Sequence, residues 1–134
     1  MTGILFLLLL LFSCAREPTA GDIEKALAPK YRWFGDITEV RITSLVKLDE
    51  DTYFAQITYG VRFSRDLEEM EEELLGKLRK GTLYRDLSLL TLIVSLNEMV
   101  RKCGRLNIRK GRTCYLSGNV ELVNVRGSWT LRFR

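Results

Sequence analysis

The chain has 134 residues, of which 46% are hydrophobic and 28% are charged, a balance typical of a globular domain and not of a disordered chain. It contains no histidine, which excludes a Ser-His-Asp triad and removes the residue that most often serves in general acid–base catalysis. The net charge is +4, but residues 101–134 hold nine basic residues and a single acid and so carry +8. This asymmetry indicates an anionic partner.

The first segment in chain order is an unbroken apolar run of nine residues, 4–12. A membrane-spanning helix needs about 20 such residues, so this run is too short to cross a bilayer. A short apolar core that ends in small residues is typical of a secretory signal peptide. The run leads directly into Ser13 and Cys14.

Leu11, Ser13 and Cys14 resemble the lipobox of bacterial lipoproteins. The resemblance implies that residues 1–13 are a signal peptide and that Cys14 receives a diacylglyceryl group and becomes the new N-terminus. Because Ala15 is not Asp, the resemblance also implies an outer-membrane protein that faces the periplasm. The alternative is ordinary signal cleavage after Ala15. We expect residues 14–21 to form a lipidated tether and residues 22–134 to form a single domain.

Two further cysteines, Cys103 and Cys114, lie eleven positions apart. If Cys14 is lipidated and the chain is exported, these two are expected to form a structural disulfide. Two free thiols or a metal site are the alternatives. With no histidine and two sulfurs, a zinc site would lack its usual ligands, so we predict no metal and no cofactor.

A short helix is predicted over residues 22–28, with Asp22 as its cap and Pro29 as its end. An aromatic cluster follows, which we interpret as core and not as a ligand platform. The cluster consists of Tyr31, Trp33 and Phe34.

Two strands are predicted next, over residues 37–48 and 52–63, and an acidic turn at residues 49–51 joins them into an antiparallel hairpin. In the second strand, apolar residues alternate strictly with polar ones from Tyr53 to Phe63, as in a half-buried strand. In the first, the residues expected on one apolar face are Val40, Ile42, Val46 and Leu48.

Two helices are predicted after this hairpin. Residues 66–80 form an amphipathic helix, for which Asp66 and Glu69 match a capping box and Gly81 is the stop. Its apolar stripe is Leu67, Met70, Leu74, Leu75 and Leu78. Residues 82–103 are apolar nearly all round, which predicts a buried helix across the sheet, although part of it could face a partner or a lipid.

A basic loop then precedes a second hairpin, whose strands are predicted over residues 113–125 and 129–133 with a turn at 126–128. The loop holds six cations in the twelve positions 101–112, and we interpret it as a candidate site for anionic surfaces. These cations are Arg101, Lys102, Arg105, Arg109, Lys110 and Arg112.

The predicted fold is α+β, with a four-stranded antiparallel curved sheet of two long hairpins, helices packed on one face and the order α-β-β-α-α-β-β. This architecture resembles cystatin-like and nuclear-transport-factor-like domains, which implies no function. Because no catalytic motif is present, we predict a membrane-anchored accessory module that binds or assembles with an envelope protein. The alternatives are an anionic lipid or envelope-polymer binder that uses the basic loop, and a carrier of a small apolar ligand. Nucleic acid does not fit the compartment.

Overall fold

The computed structural model describes residues 16–80 and 87–134. The predicted signal peptide, the predicted lipidation site at Cys14 and the predicted helix stop at Gly81 lie outside these residues. The helices and strands are α1 (Ala20–Tyr31), β1 (Gly35–Lys47), β2 (Thr52–Phe63), α2 (Leu67–Arg79), α3 (Leu87–Cys103), β3 (Thr113–Val125) and β4 (Ser128–Phe133), with a 3₁₀ turn at Arg105–Asn107 between α3 and β3.

The fold is α+β, with a four-stranded antiparallel sheet in the order β1-β2-β3-β4, and the predicted order of helices and strands is confirmed. Strands β2 and β3 have the predicted bounds. The chain divides into two compact units. Of the described residues, we call 16–27, 40–58 and 117–134 the first unit, and 28–39, 59–80 and 87–116 the second unit.

The first unit contains the start of α1 and the hairpin of β3 and β4. Its buried apolar side chains include Ile23, Leu27, Tyr53, Ala55, Ile57, Val120, Leu122 and Trp129. Val125 pairs with Ser128, so the predicted three-residue turn has two residues, Arg126 and Gly127. Both have positive φ, 54° and 85°, as a type I′ turn requires.

The second unit contains α2, α3 and the ends of three strands. Its buried apolar side chains include Tyr31, Phe34, Tyr59, Val61, Phe63, Leu67, Met70, Leu74, Leu89, Leu96, Met99, Ile108 and Leu116. The hydroxyl oxygens of Tyr31 and Tyr59 lie 2.6 Å apart and share a hydrogen bond. Burial raises the pKa of both phenols, and for Tyr59 the bond to Tyr31 raises it further. The core interpretation of the aromatic cluster is confirmed for Tyr31 and Phe34.

Helix α1 is longer than predicted at both ends. It begins at Ala20 because Thr19 caps it, while Asp22 lies in its first turn. Pro29 lies inside the helix. Because proline has no N–H, the carbonyl group four residues earlier lacks its helical hydrogen bond. Pro29 is exposed, so that carbonyl group can bond to water instead. The predicted tether at residues 14–21 is therefore too long, since Pro18 is buried and Ala20 is already helical.

The predicted capping box of α2 is wrong. In the described part of the chain, Asp66 does not cap the helix with its side chain. Its Oδ1 accepts the backbone N–H of Lys110 at 2.8 Å instead. The apolar stripe holds for Leu67, Met70 and Leu74, but Leu75 is half exposed.

Helix α3 is not buried all round as predicted. Leu89, Leu96 and Met99 are buried, whereas Leu90 and Val94 are half exposed. The uniform apolar composition does not identify the face that packs, and only one stripe of a helix can face a single neighbour.

Strand β1 also departs from its prediction, because Val46 and Leu48 are half exposed. Glu39 has φ 52°, a left-handed conformation that interrupts the alternation of a strand. The Tyr115 hydroxyl donates to the Glu39 carboxylate at 2.6 Å. Ile37 is buried before this point, and Val40 and Ile42 are partly buried after it.

Candidate anionic-surface site

The basic loop begins where α3 ends. Gly104 donates its N–H to the Val100 carbonyl at 2.9 Å, and with φ 85° and ψ 141° it ends the helix in a conformation that favours glycine. Asn107 Nδ2 donates to the Cys103 carbonyl at 2.8 Å. These bonds satisfy the last carbonyl groups of α3 and turn the chain into the 3₁₀ segment.

A disulfide joins the two ends of the loop. Cys103, the last residue of α3, and Cys114, the second residue of β3, are at disulfide distance, as their spacing predicts, and their Cα atoms lie 5.8 Å apart. Cys114 is buried. The loop is therefore closed at its base.

The middle of the loop is fixed against the start of α2. Ile108 is fully buried, and its carbonyl accepts the N–H of Leu67 at 3.1 Å. The adjacent Asp66 carboxylate holds the N–H of Lys110 at 2.8 Å. A charged acceptor makes such a bond stronger than a neutral one, so the carboxylate predicted to cap the helix fixes the loop instead.

The last residues of the loop, Gly111 and Arg112, form backbone hydrogen bonds with the end of β2. Phe63 donates its N–H to the Arg112 carbonyl at 2.9 Å and accepts the N–H of Gly111 at 2.8 Å. Arg112 also donates its N–H to the Arg109 carbonyl at 3.0 Å, and Gly111 has φ 85°, which together make a tight turn that needs glycine. The backbone of the loop is thus held along its whole length.

The side chains on the outside of this backbone form the candidate site. All six predicted cations are exposed: Arg101, Lys102, Arg105, Arg109, Lys110 and Arg112. Leu106 is 75% exposed. Arg109 Nε and Arg112 Nη1 donate to the Leu106 carbonyl at 3.3 and 3.4 Å. Leu106 therefore exposes its aliphatic side chain while its carbonyl accepts hydrogen bonds from two guanidinium groups.

Two of the cations already have acidic partners. Arg101 pairs with Glu98 at 2.7 Å, and Arg105 pairs with Glu71 at 2.5 Å. Both pairs are exposed, and an exposed ion pair contributes about 0–1 kcal/mol. These guanidinium groups can therefore exchange their partners for an incoming anion at little cost.

Lys30 is a basic residue of the site that the sequence did not indicate. Burial, and next the positive charge of Lys102, lower the pKa of Lys30, so the two ammonium groups are close enough to interact. Lys30 also lies over the Tyr31 ring, with Nζ 5.7 Å from the centroid. Because Lys30 and Lys102 are far apart in sequence, no spacing pattern could have joined them.

The chemistry of this surface is that of anion binding. Guanidinium and ammonium groups donate several hydrogen bonds to phosphate or carboxylate oxygens, and an exposed leucine adds an apolar contact. In the described residues, no three or more acidic or sulfur side chains are grouped so that they could hold a metal ion. None of the described helices is both long and apolar enough to cross a membrane.

Comparison with known proteins finds no matching family model, curated protein or solved structure.

Proposed function

We propose that this chain is a lipid-anchored protein of the bacterial outer membrane that faces the periplasm. In this proposal it is a non-catalytic binding module that docks onto an anionic envelope partner through the basic loop, residues 101–112. The observation that carries the docking proposal is the exposed Leu106, whose carbonyl accepts from Arg109 and Arg112, on a backbone that hydrogen bonds and the disulfide hold in place.

The fixed backbone supports binding because little conformational entropy is lost when the loop docks. A mobile loop of the same composition would have to order its backbone at about 1–2 kcal/mol per residue. In this loop, Ile108, the disulfide and the bonds to Asp66 and Phe63 order the backbone before any partner arrives.

The lipid anchor is supported by the lipobox resemblance at Cys14. A disulfide between Cys103 and Cys114 fits an oxidising compartment such as the periplasm. Intact mass of protein extracted from membranes without reductant tests both points. A chain that begins at acylated Cys14 and lacks two hydrogens at the cysteine pair is expected. A full-length chain with free thiols would contradict the anchor and the compartment.

Vesicle binding tests the loop. The mature chain with Cys14→Ser, which cannot carry a lipid, is mixed with vesicles of phosphatidylglycerol and with vesicles of phosphatidylcholine. Each cation near an anionic surface contributes about 1 kcal/mol, so Arg109→Glu with Arg112→Glu should weaken binding to the anionic vesicles more than tenfold. Binding should also be lost at high ionic strength, because salt screens exposed charges.

The matched control reverses two exposed arginines outside the loop, Arg41→Glu with Arg132→Glu, and changes the net charge by the same amount. It should keep most of the binding. If the loop variant and this control lose affinity equally, the interaction reflects overall charge and the loop is not the site. A soluble acidic polymer that competes with the vesicles would favour an envelope polymer as the partner.

Protein docking through α3 is a second candidate, because Leu90 and Val94 are half exposed one turn apart on the same helix. A photo-reactive side chain at Val94 should then capture one envelope protein in cells. The control places the same group at Glu50, in the exposed β1–β2 turn. An identical capture pattern at both positions would argue against docking through α3.

A further inference from the structure

The chain is already fixed to the fold at Arg16. Its Nη1 and Nη2 donate to both carboxylate oxygens of Asp22, at 2.9 and 2.8 Å. Thr19 donates its N–H and its hydroxyl to Asp22 Oδ2 at 2.8 and 3.0 Å, and accepts the N–H of Asp22 at 3.3 Å. This is a reciprocal capping box, closed by a bidentate arginine. Pro18 is buried beside it.

We call these contacts of Arg16, Thr19 and Asp22 the N-terminal clamp. Burial disfavours the charged form of Asp22, but the hydrogen bonds from Arg16 and Thr19 outweigh it, so that the pKa of Asp22 lies below its usual value. The carboxylate is therefore ionised at neutral pH, as the bidentate contact with Arg16 requires.

The clamp leaves almost no free chain between a lipid on Cys14 and the fold. Cys14 precedes Arg16 by two residues, and two extended residues reach at most about 7 Å. A lipid at Cys14 would therefore hold the clamped end of the first unit directly against the headgroups. A long flexible linker would not impose such an orientation.

The clamped end is also the end where both hairpins of the first unit turn. Arg16, Asp22 and Lys25 line a surface groove of about 240 Å³ together with Gly127, Ser128 and Trp129, which places the start of α1 beside the β3–β4 turn. The β1–β2 turn lies next to it, because Asn124 donates its N–H to the Asp51 carbonyl at 2.8 Å.

Large apolar side chains are exposed at this same end. Val46 is 49% exposed, Leu48 is 56% exposed and Val125 is 50% exposed. Among the residues that the structure describes, these are all the large hydrophobic side chains that the first unit exposes, since the remaining ones belong to the second unit. Two strand ends therefore place their apolar side chains where the anchor would emerge.

Charge does not explain this surface. Lys25, Lys47 and Arg126 are exposed at this end, but so is the acidic turn at residues 49–51, and the opposite charges nearly cancel. A contact here gains from the burial of apolar surface and not from the lipid charge. It should therefore be insensitive to salt, unlike binding through the basic loop.

We propose that Val46, Leu48 and Val125 form a membrane-contacting surface that lies in the interface of the bilayer to which Cys14 is attached. The proposal rests on the lipid anchor of the proposed function. It assigns one occupant to this apolar surface, the phospholipid bilayer, and it orients the first unit with its two hairpin turns toward that bilayer.

Site-specific fluorescence tests this surface. Leu48→Cys and Val125→Cys are each labelled with a polarity-sensitive maleimide dye in the lipidated protein, which is reconstituted in phosphatidylcholine vesicles. The control is Arg41→Cys, an exposed position in β1 seven residues before Leu48, which corresponds to about 23 Å of extended chain at 3.3 Å per residue. A second control is the lipidated chain without a new cysteine, since acylated Cys14 and the disulfide leave no thiol to label.

We expect a blue-shifted emission at Leu48→Cys and Val125→Cys, with severalfold stronger quenching by nitroxide-labelled headgroups than at Arg41→Cys. The shift should persist at high salt. If all three dyes report water while the chain without a new cysteine takes no label, the anchor stands and the membrane-contacting surface is wrong. If that chain takes one label, the Cys14 thiol is free, and the anchor and the surface both fail.

Discussion

Loss of the disulfide should lower stability by an amount that the loop length sets. The variant is Cys103→Ala with Cys114→Ala, compared with its parent in a background of Cys14→Ser. The sequence separation is 11, for which the chain-entropy relation gives about 3 kcal/mol. In a domain of this size that corresponds to a fall in Tm of about 10 °C. Urea unfolding measures the difference directly, and its slope should change little.

The other contacts of the loop decide how this variant affects binding. Ile108 stays buried, and the bonds to Asp66 and Phe63 do not involve sulfur, so affinity for anionic vesicles should fall less than in Arg109→Glu with Arg112→Glu. If the free energy of unfolding lies within about 1 kcal/mol of the parent, the disulfide does not restrict the unfolded chain as the relation assumes. The entropic reasoning would then be refuted.

Three more predictions concern stability and pH. Tyr59→Phe should cost about 1–3 kcal/mol, because it leaves the buried Tyr31 hydroxyl without a partner, whereas adding Tyr31→Phe should cost little more; additive losses in chemical unfolding would contradict the shared bond. Gly35→Ala should cost more than about 1 kcal/mol, since its Cβ would overlap the Arg62 carbonyl oxygen, and an unchanged Tm would show that the strands can separate there. Because the folded pKa of Asp22 is lowered, its ionised form contributes stability above the unfolded pKa of about 3.9, and this is lost as pH falls through the folded pKa. The stability gap between the parent and Asp22→Asn should therefore close in acid, and a gap that is constant from neutral pH to acid would contradict the clamp.

The parts of the fold that the sequence predicted well are those where one face of an element is buried throughout. Strand β2 has the predicted bounds because the apolar residues at every second position from Tyr53 to Phe63 are all buried. The pattern is less informative where burial is partial. Val46 and Leu48 continue the alternation of β1 but lie near its end, where little packs on them.

The helix-capping patterns led to wrong predictions where more than one contact was possible for the same carboxylate. Thr19 and Asp22 form the capping box of α1, but Asp22 was predicted as the cap itself. Asp66 matched a capping pattern as well, yet its carboxylate binds Lys110. The distant partner that decides between these roles cannot be seen in a window of a few residues.

The candidate site was predictable in composition and not in geometry. The six cations at residues 101–112 follow directly from the sequence. The exposure of Leu106, the burial of Ile108 and the proximity of Lys30 depend on contacts between segments that are distant in the chain. Leu106 and Ile108 are both aliphatic and lie two positions apart, so the sequence alone does not show which of them is buried.

The left-handed conformation of Glu39 should disfavour pairing of β1 with the same strand of a second copy. Strand β1 is an outer strand of the described sheet, and thirteen residues of unpaired strand edge could template pairing with a second copy. A left-handed residue costs about 1–2 kcal/mol, and it breaks the regular spacing of N–H and carbonyl groups that such pairing needs. In the lipid-anchored state proposed above, copies would meet often in the plane of the membrane, and this interruption would keep neighbouring chains from joining into a continuous sheet.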